Sequence, residues 1–445
     1  AADASSGGNV NILGQIDASG GTGGRIAISA AGDLDIGQDS IPDGQARAWL
    51  DVSAKGAGKS GGDITLASRS GALRLNEQAD VRASGGAAGS DGGLTLRAGV
   101  REDGAADGDQ GVGNSRVAAI QSTLTGVGKL TVQGEERTTV SDLSAQVLTD
   151  AKARSDAFQQ SAAALDTLNK VANGKLGASA VAKVQSAQVL QSEGDLTLST
   201  DWNLTQLVKE ASGSQFVVKP SALTPMSLSI VSGGNLNIQA SLSGGFVNVP
   251  LPGTAQASAA ANTTLSNAMK VGATDLPLMA GSDITLVAGA DLGSADVAAT
   301  AAGTAADVRI GDPADEPTSA KQVFVRSTTG DLRVVASRDV VLENDRATVY
   351  TTGLLASAEQ APGAEGFGKG SATSTKLHAN LITRGTGVNM TRQLPFMLGG
   401  GSVSLQAGGD LRTQSVGKAS FVSDWTYHKS EVNADKSQSW WARYD

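Results

Sequence analysis

A five-residue pattern returns throughout the chain: a glycine, a polar or small residue, then an apolar, a polar or small, and an apolar residue. It occurs at Gly8–Ile12, Gly24–Ile28, Gly32–Ile36, Gly62–Leu66, Gly194–Leu198, Gly234–Ile238, Gly330–Val334 and Gly401–Leu405. This period of two places the aliphatic side chains on one face and the polar ones on the other, while glycine suits a tight turn. Each copy therefore predicts a short β-strand that follows a turn.

Strands this short cannot bury their apolar faces alone, but many of them stacked in register bury a continuous core. Aromatic residues are only 3% of the chain and glycine contributes 57 of its 445 residues, so the core must be aliphatic. The pattern predicts an all-β fold, a parallel β-helix or solenoid, with an inserted α-helical segment and several long loops. Coils are expected over residues 1–134, with an acidic loop at 100–116.

Between Glu135 and Asn173 the chain has neither glycine nor proline, which predicts an α-helical insertion over residues 135–177. Ser141 or Asp142 can cap its start, and a break is expected near Ser155. Its apolar residues recur at helical spacing: Leu143, Val147, Ala151, Phe158, Leu165, Leu168 and Ala172, with Gly174 and Gly177 at the end. We expect this face to pack on the solenoid itself, with a partner-binding helix as the alternative.

Strand patterns resume in the rest of the chain and are interrupted by long excursions. We predict further coils over 178–350, with excursions near 208–224, 248–280 and 296–320, and a long loop region outside the coils over 351–400. The final segment, 401–445, is predicted to hold one more coil and an aromatic-rich end. Because the chain begins in the middle of the repeat and stops without a cap, we interpret it as a piece of a larger protein.

Charge and cysteine content bear on partners and compartment. The net charge is −9 without a basic stripe, which argues against nucleic-acid binding, and no apolar run is long enough to enter a membrane. The chain has no cysteine, a composition that suits export in an unfolded state.

Several longer phrases resemble the filamentous haemagglutinin-like exoproteins of bacterial two-partner secretion. They are DWNLTQL (201–207), SGGNLNIQASLSGGF (232–246), DITLVAGADLGSADV (283–297), STTGDLRVVASRDVVLENDRATVYTTG (327–353), GGSVSLQAGGDL (400–411) and WWARYD (440–445). The resemblance implies a right-handed parallel β-helix that crosses the Gram-negative outer membrane through a dedicated transporter. It also implies a secreted or surface-displayed shaft that serves adhesion to hosts, matrices or exopolysaccharide, or that carries a toxin.

Signals for cofactors and metals are weak, and we predict none. Gly58-Lys59-Ser60 imitates a phosphate-binding loop but has Ser53 where that motif needs a glycine. The stretch 85–91 has one residue too many for a calcium nonapeptide turn. The two histidines, His378 and His428, lie in different segments.

A carbohydrate-active enzyme on the same fold is the main alternative to an adhesive shaft. Asp33 and Asp35 flank Leu34, so their carboxylates share one face about 6.7 Å apart. Asn9/Asn11 and Asn235/Asn237 occupy the equivalent places in other repeats, which indicates that the position simply requires a solvated polar residue. We therefore predict that the protein is not an enzyme.

Aromatic side chains mark the candidate ligand-binding residues, because such rings can stack on sugars. Five of them lie close together near the end of the chain: Trp425, Tyr427, Trp440, Trp441 and Tyr444. The alternative is that these rings cover the end of a coil. Trp49 and Trp202 lie within strand phrases and are predicted to be packing residues.

Overall fold

A computed structural model shows a protein built mainly of parallel β-sheet. This confirms the all-β class. The structure describes residues 8–40, 47–100, 115–160, 172, 174–205, 207–212, 215–220, 224–247, 276–277, 279–312, 321, 323–344, 347–355, 381–386, 390–395 and 397–413.

The first part of the chain forms eleven strands in three parallel sheets. In chain order they are β1 (Val10–Ile12), β2 (Gln15–Asp17), β3 (Arg25–Ala30), β4 (Leu34–Ile36), β5 (Ala48–Asp51), β6 (Asp63–Ser68), β7 (Leu73–Leu75), β8 (Ala79–Arg82), β9 (Gly92–Gly99), β10 (Thr123–Thr125) and β11 (Val127–Thr139). Sheet A contains β1, β4 and β7, and sheet B contains β2, β5, β8 and β10. The remaining strands, β3, β6, β9 and β11, begin a third sheet, the long sheet.

A helix, α1 (Ala145–Gln160), separates this part from the next. It begins ten residues after the predicted start at 135, because residues 135–139 continue β11 and pair with the following strand. The Asp142 carboxylate accepts a hydrogen bond from the Ser144 backbone N–H at 3.0 Å, just before the helix. The expected break near Ser155 is wrong, because the Ser155 hydroxyl accepts a hydrogen bond from Gln159 one turn later and the helix continues.

The second part continues the long sheet and adds two new parallel sheets. Its strands are β12 (Val181–Ser192), β13 (Leu196–Leu198), β14 (Trp202–Asn203), β15 (Leu207–Ser212), β16 (Gln215–Pro220), β17 (Ser227–Ser232), β18 (Leu236–Ile238), β19 (Leu242–Gly244), β20 (Phe246–Val247), β21 (Leu276–Pro277), β22 (Ile284–Ala288), β23 (Val308–Ile310), β24 (Val323–Ser327), β25 (Leu332–Ala336), β26 (Val340–Leu342), β27 (Ala347–Thr351), β28 (Leu354–Leu355), β29 (Leu381–Thr386), β30 (Met390–Pro395), β31 (Met397–Leu398), β32 (Val403–Ala407) and β33 (Leu411–Thr413). Sheet C contains β13, β18, β23, β26 and β33, and sheet D contains β14, β19, β24 and β27.

The chain visits these sheets in a repeating order. In the first part it passes from the long sheet to sheet A and then to sheet B, and in the second from the long sheet to sheet C and then to sheet D. The long sheet is curled and has nine strands in the order β3-β6-β9-β11-β12-β17-β22-β25-β32, so it alone joins strands of both parts. Every pairing within it is parallel.

The core consists of aliphatic side chains that stack from strand to strand. Ile26, Ile64, Leu94 and Leu130 occupy the same register position of four neighbouring strands, and all four are buried. Burying one such side chain stabilises the fold by about 1.5–3 kcal/mol. The first part and the second part have separate cores, and the helical segment contacts both: Phe158 and Ala172 belong to the first, and Leu143 to the second.

Excursions from the parallel sheets include antiparallel strand pairs. Strands β15 and β16 pair within the predicted excursion at 208–224, and β29 with β30 and β28 with β31 pair within 351–400. The predicted excursion at 296–320 is wrong in its middle, because Val308–Ile310 (β23) pairs with two strands of sheet C. Residues 101–114 of the predicted acidic loop lie outside the described residues, although Val100 and Ser115 pair at its base.

One excursion, residues 289–304, lies across the outer face of the long sheet. Val231, Val287 and Val335 point away from the main core and are nevertheless buried, because Ala290 and Ala298 pack on them. The guanidinium of Arg69, which follows β6 in the first part, donates a hydrogen bond to the Gly293 carbonyl of this excursion. The excursion therefore connects the two parts of the fold outside the core.

Candidate functional site

An aspartate or asparagine directly before a strand of the repeat links neighbouring strands. Along sheet C each Asp or Asn side chain accepts a hydrogen bond from the backbone N–H of the equivalent residue on the next strand. The pairs are Asp195 with Asn235 (2.7 Å), Asn235 with Asp307 (2.9 Å), Asp307 with Asp339 (3.2 Å) and Asp339 with Asp410 (2.9 Å). The same arrangement joins Asn9 to Asp33 in sheet A, and Asp283 to Asp331 in the long sheet. These carboxylates and amides stabilise the stacking of strands.

Asp33 and Asp35, the carboxylates considered for catalysis, lie on the outer face of sheet A and share one arginine. The Asp33 Oδ1 accepts the Ala72 N–H at 2.8 Å, and its Oδ2 lies 3.3 Å from Arg74 Nη1. The same Arg74 nitrogen lies 3.4 Å from Asp35 Oδ1. Both Asp33 oxygens therefore hold neighbouring strands together, which favours the structural interpretation of this pair.

Asp307 forms ion pairs with two arginines on the outer side of sheet C. Its side chain is fully buried; Arg338 contacts both carboxylate oxygens at 2.6 Å, and Arg309 Nη2 lies 2.8 Å from Oδ2. Hydrogen bonds from Arg338, then from the Asp339 N–H and Arg309, lower the pKa of Asp307 below its ordinary value despite the opposing effect of burial. The carboxylate is thus ionised throughout the neutral range.

Replacing Asp307 by Asn is expected to lower the free energy of unfolding at pH 7 by about 1–2 kcal/mol, since the arginines are partly exposed and screened by solvent. A lowered pKa in the fold stabilises the protein above the unfolded value of about 3.9, and this contribution disappears as the pH falls through the folded pKa. The difference in the free energy of unfolding between the parent and Asp307→Asn should therefore shrink below about pH 4. Urea midpoints from pH 2 to 7 measure it.

Asp195→Asn is the matched control for that experiment, because Asp195 begins the same row and an amide oxygen can still accept the Asn235 N–H. No arginine pairs with Asp195 among the described residues. The Asp195→Asn substitution should lower the free energy of unfolding only slightly at any pH. If Asp307→Asn lowers the free energy of unfolding by the same amount down to pH 2, the charge of Asp307 does not contribute to stability.

The aromatic residues predicted to bind ligand, Trp425, Tyr427, Trp440, Trp441 and Tyr444, lie outside the described residues. Trp202 is 1% exposed and packs in the second core, which confirms the prediction that it is a packing residue. The same prediction is wrong for Trp49. In β5 the buried positions are Ala48 and Leu50, so the Trp49 side chain lies on the outer, partly exposed face of sheet B.

Trp49 belongs to a patch of side chains on this outer face that we call the strip. The strip consists of two rows across β2, β5 and β8: Gln15, Trp49 and Asp80 in one row, and Asp17, Asp51 and Arg82 in the next. Neighbouring strands are about 4.8 Å apart, and successive outward residues of one strand about 6.7 Å apart. The strip thus places one indole ring beside charged and amide groups on a rigid sheet.

Two arginines and Asp80 hold the indole in place. The Arg82 guanidinium lies over the Trp49 ring, 5.3 Å from its centroid, and its Nη2 lies 3.0 Å from Asp80 Oδ2. Arg47 contacts the other oxygen of Asp80 at 3.2 Å and donates to the Glu77 carbonyl at 2.8 Å. Because a carboxylate fixes the cation and the cation covers one ring face, the Trp49 ring is preorganised.

Asp17 and Asp51 are fixed in a similar way. The Oδ1 of each accepts the backbone N–H two residues later, Ser19 or Ser53, at 2.8 Å. Hydrogen bonds from the Ser19 side chain and backbone lower the pKa of Asp17. Among the described residues nothing hydrogen-bonds to the second oxygen of Asp51. The strip can therefore offer a ring face and carboxylate acceptors together.

Metal-binding clusters and membrane-spanning helices are both absent from the described part of the chain. Its residues include no group of three or more histidine, cysteine, aspartate or glutamate side chains placed to hold a metal ion. Within the same ranges no helix is both long and apolar enough to span a membrane.

Comparisons with protein-family models, with curated proteins and with solved structures find no match to this chain. The strip and the strand-linking carboxylates are therefore interpreted from their own geometry.

Proposed function

We propose that the chain is a right-handed parallel β-helix that forms a structural and adhesive shaft segment of a secreted bacterial surface protein. The observation that carries the proposal is the nine-stranded long sheet, in which each return of the chain adds one parallel strand. At about 4.8 Å per strand the nine strands extend about 40 Å. Such a stack lengthens without a larger core and can hold a binding element away from a cell.

The surface of the fold supports a shaft in preference to an enzyme. Asp33, Asp307 and Asp339 lie on outer sheet faces, where each links neighbouring strands or pairs with arginine. Carboxylates used in this way stabilise the stack and do not form a free acid–base pair. We assign the protein to the filamentous haemagglutinin-like exoproteins, exported by an outer-membrane transporter of two-partner secretion to the Gram-negative cell surface, because its repeat phrases resemble theirs.

Two measurements on the purified chain test this function. Small-angle X-ray scattering is expected to give an elongated particle, and beads coated with the chain should attach to epithelial cells or to exopolysaccharide films more than albumin-coated beads do. A compact spherical particle would contradict the shaft, and absence of attachment to both surfaces would contradict adhesion. Cleavage of the polysaccharide would instead favour the carbohydrate-active enzyme.

A further inference from the structure

We propose that the strip on sheet B is a binding site for neutral, hydroxyl-rich glycans. This inference rests on the proposed adhesive function and gives it a site and a ligand class. It concerns Gln15, Asp17, Trp49, Asp51, Asp80 and Arg82, all on outward positions of neighbouring parallel strands.

The indole of Trp49 is the first reason. The Trp49 ring is partly exposed at an outward position of the sheet, where it can contact a ligand instead of filling the core. Arg82 lies over one face of the Trp49 ring and is itself held by Asp80, so the ring does not have to be ordered on binding. A sugar ring presents C–H groups that can stack on the part of the indole left exposed.

The carboxylates of the second row are the second reason. Asp17 and Asp51 are register partners on adjacent strands, and backbone hydrogen bonds from Ser19 and Ser53 fix their orientation. Ionised carboxylates accept hydrogen bonds from hydroxyl groups, and those bonds are stronger than neutral ones. With Trp49 two residues from Asp51 on the same strand, acceptors and ring face are spaced about one sugar ring apart.

Charge selects the class of glycan. The strip contains three carboxylates, Asp17, Asp51 and Asp80, and the cations near them are Arg47 and Arg82, which pair with Asp80, and Lys55, which faces Asp17. Both guanidiniums are thus already paired, and sulfated or uronic-acid chains, and nucleic acids, would meet repulsion from the carboxylates of Asp17 and Asp51. A neutral glycan meets no such repulsion and has the hydroxyl donors that carboxylates bind.

Affinity electrophoresis of the full chain tests the site, in native gels that contain dextran, galactomannan or laminarin as neutral probes and alginate as the anionic one. Retardation is expected with at least one neutral polysaccharide and not with alginate. Trp49→Ala should weaken the binding by about tenfold, because removal of a central aromatic residue costs more than about 1 kcal/mol. Trp49→Phe should weaken it less, and Asp51→Asn by about threefold.

Matched controls separate binding from folding. Thr197→Ala removes an exposed, outward side chain of sheet C, far along the chain from the strip, and should bind like the parent. Circular dichroism checks that each variant is folded. If Trp49→Ala is not folded, the binding of Trp49→Phe and Asp51→Asn tests the site instead. No retardation by any neutral probe, or equal retardation of parent and folded strip variants, would overturn this inference.

The bead-attachment assay distinguishes this failure from failure of the proposed function. If the strip variants bind cells or films as well as the parent, the strip is not the binding site, while the adhesive shaft stands. If the parent itself neither attaches nor forms an elongated particle, the proposed function fails regardless of the strip.

Discussion

Replacing Gly62 by alanine is expected to lower the free energy of unfolding by about 3 kcal/mol, as overpacking of a rigid interior does. A Cβ atom at this position would lie 1.8 Å from the carbonyl oxygen and 2.7 Å from the nitrogen of Gly24. Both atoms belong to the backbone of the preceding turn, so no side-chain rotation relieves the clash. The turns before β3 and β6 would have to separate, and with them the strands that they align.

Gly194→Ala is the matched control, because Gly194 precedes an aspartate and a strand of the same pattern, yet a Cβ atom there would have no other atom within 4 Å. Alanine there should change stability by less than about 1 kcal/mol, since it reduces the freedom of the unfolded chain without a clash. Urea midpoints of both variants measure the contrast. If both variants lose the same free energy of unfolding, glycine is needed at both positions for the local turn conformation. The close approach of the two backbones at Gly62 would then not explain its effect.

Strands were predictable from the sequence because alternation is a local property. Leu34 and Ile36 flank Asp35, and the structure buries both aliphatic side chains completely. The pattern could also have identified the outward side chain of Trp49, since Ala48 and Leu50 alternate with it. A large apolar residue within a strand phrase does not by itself reveal which face it occupies, which is why the prediction that Trp49 is a packing residue is wrong.

Other features depend on contacts between distant residues. The pairing of Arg82 with Asp80 and its position over Trp49 require β5 and β8 to be neighbours in a particular register, which the length of the intervening chain does not specify. Similarly, residues 135–139 have no glycine or proline and suit a helix, but pairing with Val189 and its neighbours in β12 keeps them extended. In the second case tertiary hydrogen bonding outweighs local preference.

The docking of α1 depends on a space that only glycine leaves open. Gly134 shares the inward register position of Ala98, and a Cβ atom there would lie 2.3 Å from Cζ and 2.4 Å from Cε2 of Phe158. Phe158 is 6% exposed and belongs to the first core. The ring thus takes the place that an inward side chain of β11 would otherwise fill.

Phe158→Ala is therefore expected to lower the free energy of unfolding by about 3–5 kcal/mol, the usual cost of deleting a buried aromatic ring. Gly134→Ala should also destabilise the protein, because the new methyl group meets the ring. In the double variant the methyl group enters space that the ring has left, so the combined loss should fall short of the sum by more than about 1 kcal/mol.

Urea unfolding of the four proteins measures this coupling, and the pair Phe158→Ala with Gly194→Ala provides the comparison in which the losses should add. Coupling at Gly134 alone would mean that the helix is a fixed part of the stack and joins two parts that are otherwise connected by the long sheet and the 289–304 excursion. Additive losses at both pairs would mean that α1 is not docked on β11. The stability of the junction would then depend on the long sheet and the 289–304 excursion, and a shaft could bend at this point.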